Sequence, residues 1–181
     1  MTSRTRRRLM AAAALLPVLP ALAQSRALTC GERTAAQTAG PFFKTDSPRR
    51  TTLLEPDAKT GKLLLSGTVM TAQCRPVANA LLDFWQADED GRYDNQGFRY
   101  RGHQFADAQG RYRLETVLPG EYPGRTPHIH VRVQAPGERV LTTQLYFPGH
   151  ARNGRDFLYR PDLEMRMAQR GEGAFDFVVE A

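Results

Sequence analysis

The amino-acid sequence predicts an all-β protein: an antiparallel β-sandwich with an extended N-terminal arm and long loops. Short runs rich in β-branched and aromatic residues are typical of strands. These runs cover residues 62–70, 79–87, 110–117, 127–135, 139–147 and 173–180. Asp-Gly, Gln-Gly and Pro-Gly turns, the first at Asp90-Gly91, separate them at spacings that favour hairpins over crossover helices. Only residues 160–171 have a helical pattern, for about two turns.

The first 23 residues form a segment of their own. A start with four arginines is followed by an apolar run too short to span a bilayer, which is typical of an export signal cleaved before Gln24. The arginines at 6–8 favour the twin-arginine type, with an ordinary secretory signal as the alternative. The sequence therefore divides into an export signal (1–23), an extended arm (24–62) and a β-sandwich domain (63–181). It predicts a periplasmic or extracellular protein with no membrane span after cleavage.

The net charge argues against a nucleic-acid partner. The chain has 25 basic and 19 acidic residues, a formal charge of +6. Removing the four arginines of the predicted signal leaves 21 basic residues against 19 acidic ones. Because no basic cluster is interleaved with aromatic residues, electrostatic attraction to phosphates has no basis. The sequence predicts no nucleic-acid partner.

The chain contains two cysteines, Cys30 and Cys74. An even count in an exported protein favours a disulfide between them over two free thiols. The same count excludes a cysteine-rich metal site, which needs three or four thiolates.

A pair of histidines in the predicted strand 127–135 could bind a metal. Side chains alternate faces along a strand, so His128 and His130 point the same way while Ile129 points to the opposite layer. Tyr122 precedes them across a Pro-Gly turn, and Tyr93 follows another strand and its Asp-Gly turn. The alternative is two hydrogen-bonded structural histidines and two tyrosines that only pack strands.

The residue types around these histidines narrow the choice of metal. No Asp or Glu falls in the histidine strand, so a His-His-carboxylate ferrous site is not evident locally. A phenol with a pKa near 10 loses its proton at neutral pH only to a strong Lewis acid. Two tyrosines with two histidines therefore favour Fe(III) over Zn(II) or Fe(II), and Cu(II) bound by the histidines alone stays open.

Five segments together resemble the intradiol ring-cleavage dioxygenases, a family that includes catechol and protocatechuate dioxygenases. They are QTAGPFF in the arm, GTVMTAQCRPVANALLDFWQADEDGRYDN, FRYRGHQFADAQGRYRLETVLPGEYP, RTPHIHVRV and LTTQLYFPG, in the order that the family has. The resemblance runs over most of the mature chain. It implies that the sandwich is a catalytic domain and that its long loops carry the active site. The long helical dimerisation segment of some members is not visible, so a homo-oligomer would form through the sandwich faces.

The resemblance also implies a site and a reaction. The four non-haem ferric ligands, each in the family motif GRY, PGEYP or HIH, are Tyr93, Tyr122, His128 and His130. Arg125 and Gln144 match residues beside the substrate, and Tyr122 is the ligand that dissociates and takes a substrate proton. The implied reaction uses O2 to cleave a catechol-type ring between its two hydroxyl-bearing carbons, which gives a cis,cis-muconate-type diacid.

Two other classes of protein compete with this interpretation. Transthyretin-like and carboxypeptidase-regulatory modules are β-sandwiches that bind without a metal, and residues 66–85 and 106–122 also look like them. Such a module has no reason to assemble two tyrosines and two histidines. A cupin metalloenzyme also uses His-x-His, but expects a glutamate a few residues later, whereas Glu138 follows His130 by eight residues.

Overall fold

The computed structural model describes residues 31–168 and 171–181, and in this part of the chain it is a sandwich of two β-sheets without an α-helix. The all-β prediction is confirmed. The strands are β1 (Lys62–Thr71), β2 (Leu81–Gln86), β3 (Arg101–Phe105), β4 (Arg111–Val117), β5 (His128–Gln134), β6 (Leu141–Tyr146), β7 (Arg166–Ala168), β8 (Glu172–Ala174) and β9 (Phe177–Val179). Two short 3-10 turns cover Asn153–Arg155 and Pro161–Leu163.

One sheet has the order β4-β1-β8-β7, with β9 also paired to β1, and the other has the order β3-β2-β5-β6. The second sheet is antiparallel throughout. In the first, β4 pairs antiparallel with β1 and β7 with β8, but β8 and β9 run parallel to β1, so the predicted antiparallel sandwich contains two parallel pairs. The chain forms two short strands because Asp176 interrupts the run, and its Oδ1 accepts the Thr68 N–H at 2.9 Å in place of a ladder bond.

Two local predictions also differ from the structure. The helical pattern at 160–171 is instead a 3-10 turn followed by β7, because pairing of Met167 with Gly173 of β8 overrides a weak helical preference. Residues 101–105 carry no strand signal in the sequence, yet they form β3, which contains Gly102 and polar residues. Gly102 is needed there because a Cβ would lie 2.7 Å from Cγ of Arg50 in the arm.

The core lies between the two sheets and is aliphatic and aromatic. Phe84 of β2 meets Tyr112 of β4 across the layers, with ring centroids 5.9 Å apart. The other fully buried side chains include Leu63, Leu65, Val69, Leu82, Leu114, Ile129, Val131, Val133, Leu145 and Phe177. Burial of this apolar surface is the main force that holds the sheets together.

The arm spans the open edge of the sandwich. Arg49 forms a bridge with His103 of β3, and Thr52 forms one with Glu115 of β4, so the arm pairs with an edge strand of each sheet. Further upstream, the Gln37 N–H donates to the Thr142 carbonyl of β6 at 2.8 Å. The arm thereby satisfies edge groups that would otherwise be open to pairing with another chain.

Some predictions fall at or beyond the limits of the described residues. Cys74 is disulfide-bonded, and its predicted partner Cys30 lies outside the described residues. The predicted export signal (1–23) also lies outside them. Among the residues described, no helix has the length and apolar character needed to cross a membrane.

Candidate metal centre

Two histidines project from the outer face of β5. Ile129 and Val131 on the same strand are fully buried between the sheets, so His128 and His130 lie on the opposite face. Their Nε2 atoms are 3.1 Å apart. Both side chains are nonetheless buried, because the arm and the loops cover this face. The two rings present their Nε2 atoms to one point.

Both imidazoles are in the form that binds metal ions. Nδ1–H of His128 donates to the Thr126 carbonyl at 2.7 Å, which leaves Nε2 with a free lone pair. Burial lowers the pKa of His128 to about 4. Desolvation also holds the pKa of His130 well below its usual value, and the neighbouring His128 adds to the effect. Both rings are therefore neutral at pH 7, as a metal ligand must be.

Tyr93 brings a phenol to the same point. It follows the turn at residues 88–92, where the Asp88 N–H donates to the Arg92 carbonyl at 2.8 Å. Its Oη lies 3.3 Å from Nε2 of His128. Burial raises the pKa of Tyr93 well above its usual value, although the positive charge of Arg125 opposes the shift. A phenolate at this position therefore requires a strong Lewis acid beside it.

Tyr122 lies on the loop between β4 and β5, and its ring meets that of Tyr93 edge to face, with centroids 5.9 Å apart. The loops that carry the two tyrosines pack backbone against backbone. The Gly120 N–H donates to the Asp88 carbonyl at 2.8 Å, and a Cβ on Gly120 would lie 2.6 Å from the Gly91 nitrogen. Because only glycine fits so close an approach, this contact sets the spacing of the two tyrosines.

Aromatic rings from the arm and from β2 enclose the site. Phe42 stacks on Tyr93, with centroids 4.3 Å apart and planes at 12°, and meets Tyr122 edge to face at 5.3 Å. Trp85 stacks on His130 at 4.8 Å and 5°. The buried Nδ1 of His130 has no hydrogen-bond partner within the described part of the chain, so stacking holds this ring in place.

Arg125 and Gln144 come together beside the histidines. Gln144 is the cross-strand partner of His130 in the β5–β6 pair. Its Oε1 accepts Nη2–H of Arg125 at 2.6 Å, and its Nε2 donates to the Thr38 carbonyl in the arm at 2.9 Å. The structure thus brings all six residues that the sequence singled out as site residues to one end of the four-stranded sheet.

Asp156 belongs to this site and was missed in the sequence. Its carboxylate accepts Nε–H of Arg125 at 3.0 and 2.9 Å, and its side chain is 1% exposed. It lies 31 residues after Arg125 in a loop without a local motif. The sequence offered only a general reason to expect such a residue, because a largely buried guanidinium requires a buried acceptor. Several acidic residues could have filled that role, so the sequence did not single out Asp156.

The donor set fits a metal ion that binds imidazole and phenolate. Two imidazoles and the phenol of Tyr93 converge there, and residues 31–168 and 171–181 contain no cluster of three or more His, Cys, Asp or Glu able to hold a metal. Two donors bound at right angles to one ion, each about 2.1 Å from it, lie about 3 Å apart. The separations of 3.1 Å between the imidazoles and 3.3 Å from Tyr93 to His128 match this geometry.

Several known proteins are similar to this chain in sequence and in fold. The family model described as "Dioxygenase" matches residues 38–167. A chlorocatechol 1,2-dioxygenase from Pseudomonas sp. is 32% identical to this chain, over 84% of the chain and 72% of that protein. The chain belongs to the intradiol ring-cleavage dioxygenase family. Enzymes of this family are oxidoreductases that use non-haem iron.

This chain covers different shares of two further relatives. The dioxygenase domain of a dioxygenase carbohydrate-binding protein fusion from the cellulolytic bacterium Streptomyces sp. SirexAA-E is 53% identical, with a TM-score of 0.79 over 82% of this chain and 99% of that one. A hydroxyquinol 1,2-dioxygenase from Nocardioides simplex is 30% identical over 71% of this chain. The chain spans 52% of that relative's length, about half of it.

The predicted ligands and the two residues expected beside the substrate all lie within the matched region. These residues are Tyr93, Tyr122, Arg125, His128, His130 and Gln144, and the match also includes Asp156. Family membership argues against the binding-module alternative, which shares the sandwich without a metal centre.

Proposed function

We propose that this intradiol dioxygenase holds Fe(III) and uses O2 to cleave a catechol-type ring between its two hydroxyl-bearing carbons, which forms a cis,cis-muconate-type diacid. The proposal is carried by the convergence of both Nε2 atoms with Oη of Tyr93, at 3.1 and 3.3 Å, next to the ring of Tyr122. Phenolate is a hard anion, and neutral imidazole suits iron. This set of donors favours ferric iron over zinc or ferrous iron.

The four proposed ligands have different surroundings. Tyr93, Tyr122, His128 and His130 would hold Fe(III), which would supply Lewis-acid chemistry towards a catechol. His128, His130 and Tyr93 are held by hydrogen bonds and stacked rings, so they keep their places during the reaction. Both tyrosines lie on loops and are partly exposed. Tyr93 is stacked on Phe42 and contacts His128, whereas the Tyr122 ring makes edge-to-face contacts. We therefore assign to Oη of Tyr122 the role of accepting one of the protons lost by the catechol.

Arg125 provides a fixed positive charge beside the reacting ring. Its guanidinium is held by Gln144 and Asp156, so it does not need to reorganise as negative charge develops on the substrate. Phe42 and Trp85 exclude water from the two sides of the site, which strengthens this electrostatic interaction. The residues of the chain therefore position the substrate, accept a proton and stabilise charge.

The substrate class follows from the two adjacent oxygens that such a site binds. The names of the relatives refer to chlorocatechol and hydroxyquinol, and both of these rings carry adjacent hydroxyl groups. A first assay therefore compares catechol, hydroxyquinol and a chlorocatechol. We expect ring cleavage of at least one of them, with one O2 consumed per ring.

We also propose that the mature protein acts in the periplasm or outside the cell. The basic and apolar N-terminal sequence supports this, and so does the disulfide at Cys74, because disulfides persist in oxidising compartments. Cell fractionation with mass spectrometry tests it. Recovery of the uncleaved chain from the cytoplasm alone would contradict the proposal.

The visible spectrum of the purified protein is the most direct test of the metal centre. Tyrosinate-to-iron charge transfer colours the protein red-brown, and anaerobic addition of a catechol changes the band. Tyr93→Phe perturbs the band because one phenolate is lost. Tyr112→Phe is the matched control. The Tyr112 hydroxyl donates to the Phe175 carbonyl in the core, so its removal leaves the charge-transfer band unchanged. A colourless protein with one iron per chain would contradict the proposal.

A further inference from the structure

Asp156 contacts both the arginine of the site and the segment that leads to the histidines. Its Oδ1 accepts Nε–H of Arg125 at 3.0 Å and the Leu158 N–H at 2.9 Å. Its Oδ2 accepts the same Nε–H at 2.9 Å and the Thr126 N–H at 3.0 Å. Each oxygen therefore accepts from the guanidinium and from one backbone amide.

The Thr126 peptide connects this carboxylate to a proposed metal ligand. The Thr126 N–H donates to Asp156, and the Thr126 carbonyl accepts Nδ1–H of His128 at 2.7 Å. The Thr126 hydroxyl donates to Asn153 Oδ1 at 2.7 Å, so the same residue is held at a second point. Because the hydrogen bond at Nδ1 fixes which nitrogen of His128 faces the metal, the position of Thr126 sets the orientation of that ring.

We propose that Asp156 is a positioning residue with two effects: it holds Arg125 beside the substrate and, through the Thr126 peptide, orients His128 towards the metal. The first effect rests on the proposed function, since it assumes that Arg125 acts on a bound catechol. The second concerns metal binding and can be measured without turnover.

The geometry requires a carboxylate at this position. Both oxygens of Asp156 face N–H donors, and its side chain is 1% exposed. An asparagine would point its NH2 group at one of these donors and remove the negative charge that pairs with Arg125. Either effect lets the guanidinium move away from Gln144, which it contacts at 2.6 Å.

Asp156→Asn, Arg125→Ala and the double variant test both effects in the full mature protein. Asp156→Asn lowers iron affinity by roughly 10- to 100-fold, as is usual when the partner that orients a ligand is lost. Arg125→Ala lowers iron affinity less than Asp156→Asn does, because Asp156 still holds Thr126. Either single variant lowers kcat by about 100-fold or more. With each chain loaded with iron, the loss of kcat in the double variant is smaller than the product of the two single losses, since Asp156 acts on turnover in part through the same guanidinium.

The matched control is Asp162→Asn, which removes a carboxylate of the same loop that pairs with Arg160 at 2.8 Å. Its iron affinity and kcat stay at the wild-type values. Should Asp156→Asn not fold, Asp156→Glu keeps the charge, displaces it by one methylene and enters the same cycle. Losses in kcat that multiply in the double variant overturn the link to Arg125.

Iron affinity is measured by anaerobic titration of the metal-free protein with iron, followed by the charge-transfer band. Unchanged affinity in the folded Asp156 variant overturns the link to His128. If the wild-type protein cleaves no catechol, the proposed function fails, but the iron titration still decides whether Asp156 orients His128.

Discussion

Gly120→Ala tests whether the contact between two loops sets the spacing of the tyrosines. Gly120 does not have a left-handed backbone, so alanine adds one methyl group without backbone strain. That methyl carbon would overlap the Glu89 carbonyl oxygen and would lie 2.6 Å from the Gly91 nitrogen, where ordinary contacts begin at 3.4 Å. The loops that carry Tyr93 and Tyr122 must therefore separate by at least about 0.8 Å.

Such a displacement affects stability and metal binding differently. Overpacking of this kind lowers the free energy of unfolding by about 1–3 kcal/mol. In a chain of this size, each kcal/mol lowers Tm by roughly 2–4 °C. Metal–ligand distances tolerate only about 0.2 Å of error, so a shift of the tyrosines by several tenths of an ångström weakens iron binding far more than it weakens the fold.

Denaturant unfolding of the metal-free protein and iron titration of the folded protein measure the two effects. Gly61→Ala is the matched control, because no atom lies within 4 Å of the added methyl group and its backbone is not left-handed. We expect Gly61→Ala to match the wild type in both assays. A Gly120→Ala protein with the wild-type unfolding free energy and an unaltered charge-transfer band would refute the reasoning.

Three further predictions concern turnover, the core and the disulfide. Tyr122→Phe lowers kcat by roughly 100-fold or more because the proton acceptor is lost; O2 uptake with saturating catechol measures this, and a kcat near wild type would exclude the role. Phe84 is fully buried, so Phe84→Ala leaves a cavity and lowers the unfolding free energy by about 3–5 kcal/mol in urea titrations. A smaller change would show that the two sheets close over the cavity. Reduction of the disulfide at Cys74 lowers the unfolding free energy by about 2–4 kcal/mol, and identical melting curves with and without dithiothreitol would contradict this.

The histidine pair shows which features of the site the local sequence pattern can predict. Alternation along a strand is a property of the backbone, so the sequence alone predicts that His128 and His130 share a face opposite Ile129. The local sequence does not determine which residues cover that face. Trp85 stacks on His130 only because β2 pairs with β5 in the register that places the two residues side by side.

The predicted and observed secondary structures differ in segments with weak local preferences. The pattern at 160–171 is compatible with a short helix, but the sheet offers β7 a partner in β8 that an isolated helix of two turns cannot match. Residues 101–105 carry little strand preference, and β3 forms because β2 and the arm pair with it. Parallel pairing of β8 and β9 with β1 likewise depends on the path of the whole chain.

The sequence by itself determined the all-β class, the faces of the strands and the residue types that a ferric site uses, because these follow from short-range periodicity and side-chain chemistry. Only the tertiary structure decided that the Tyr93 and Tyr122 loops touch at Gly91 and Gly120, that Phe42 covers them, and that Asp156 holds Arg125. These contacts join segments far apart in the chain, and no local preference specifies which distant segments meet.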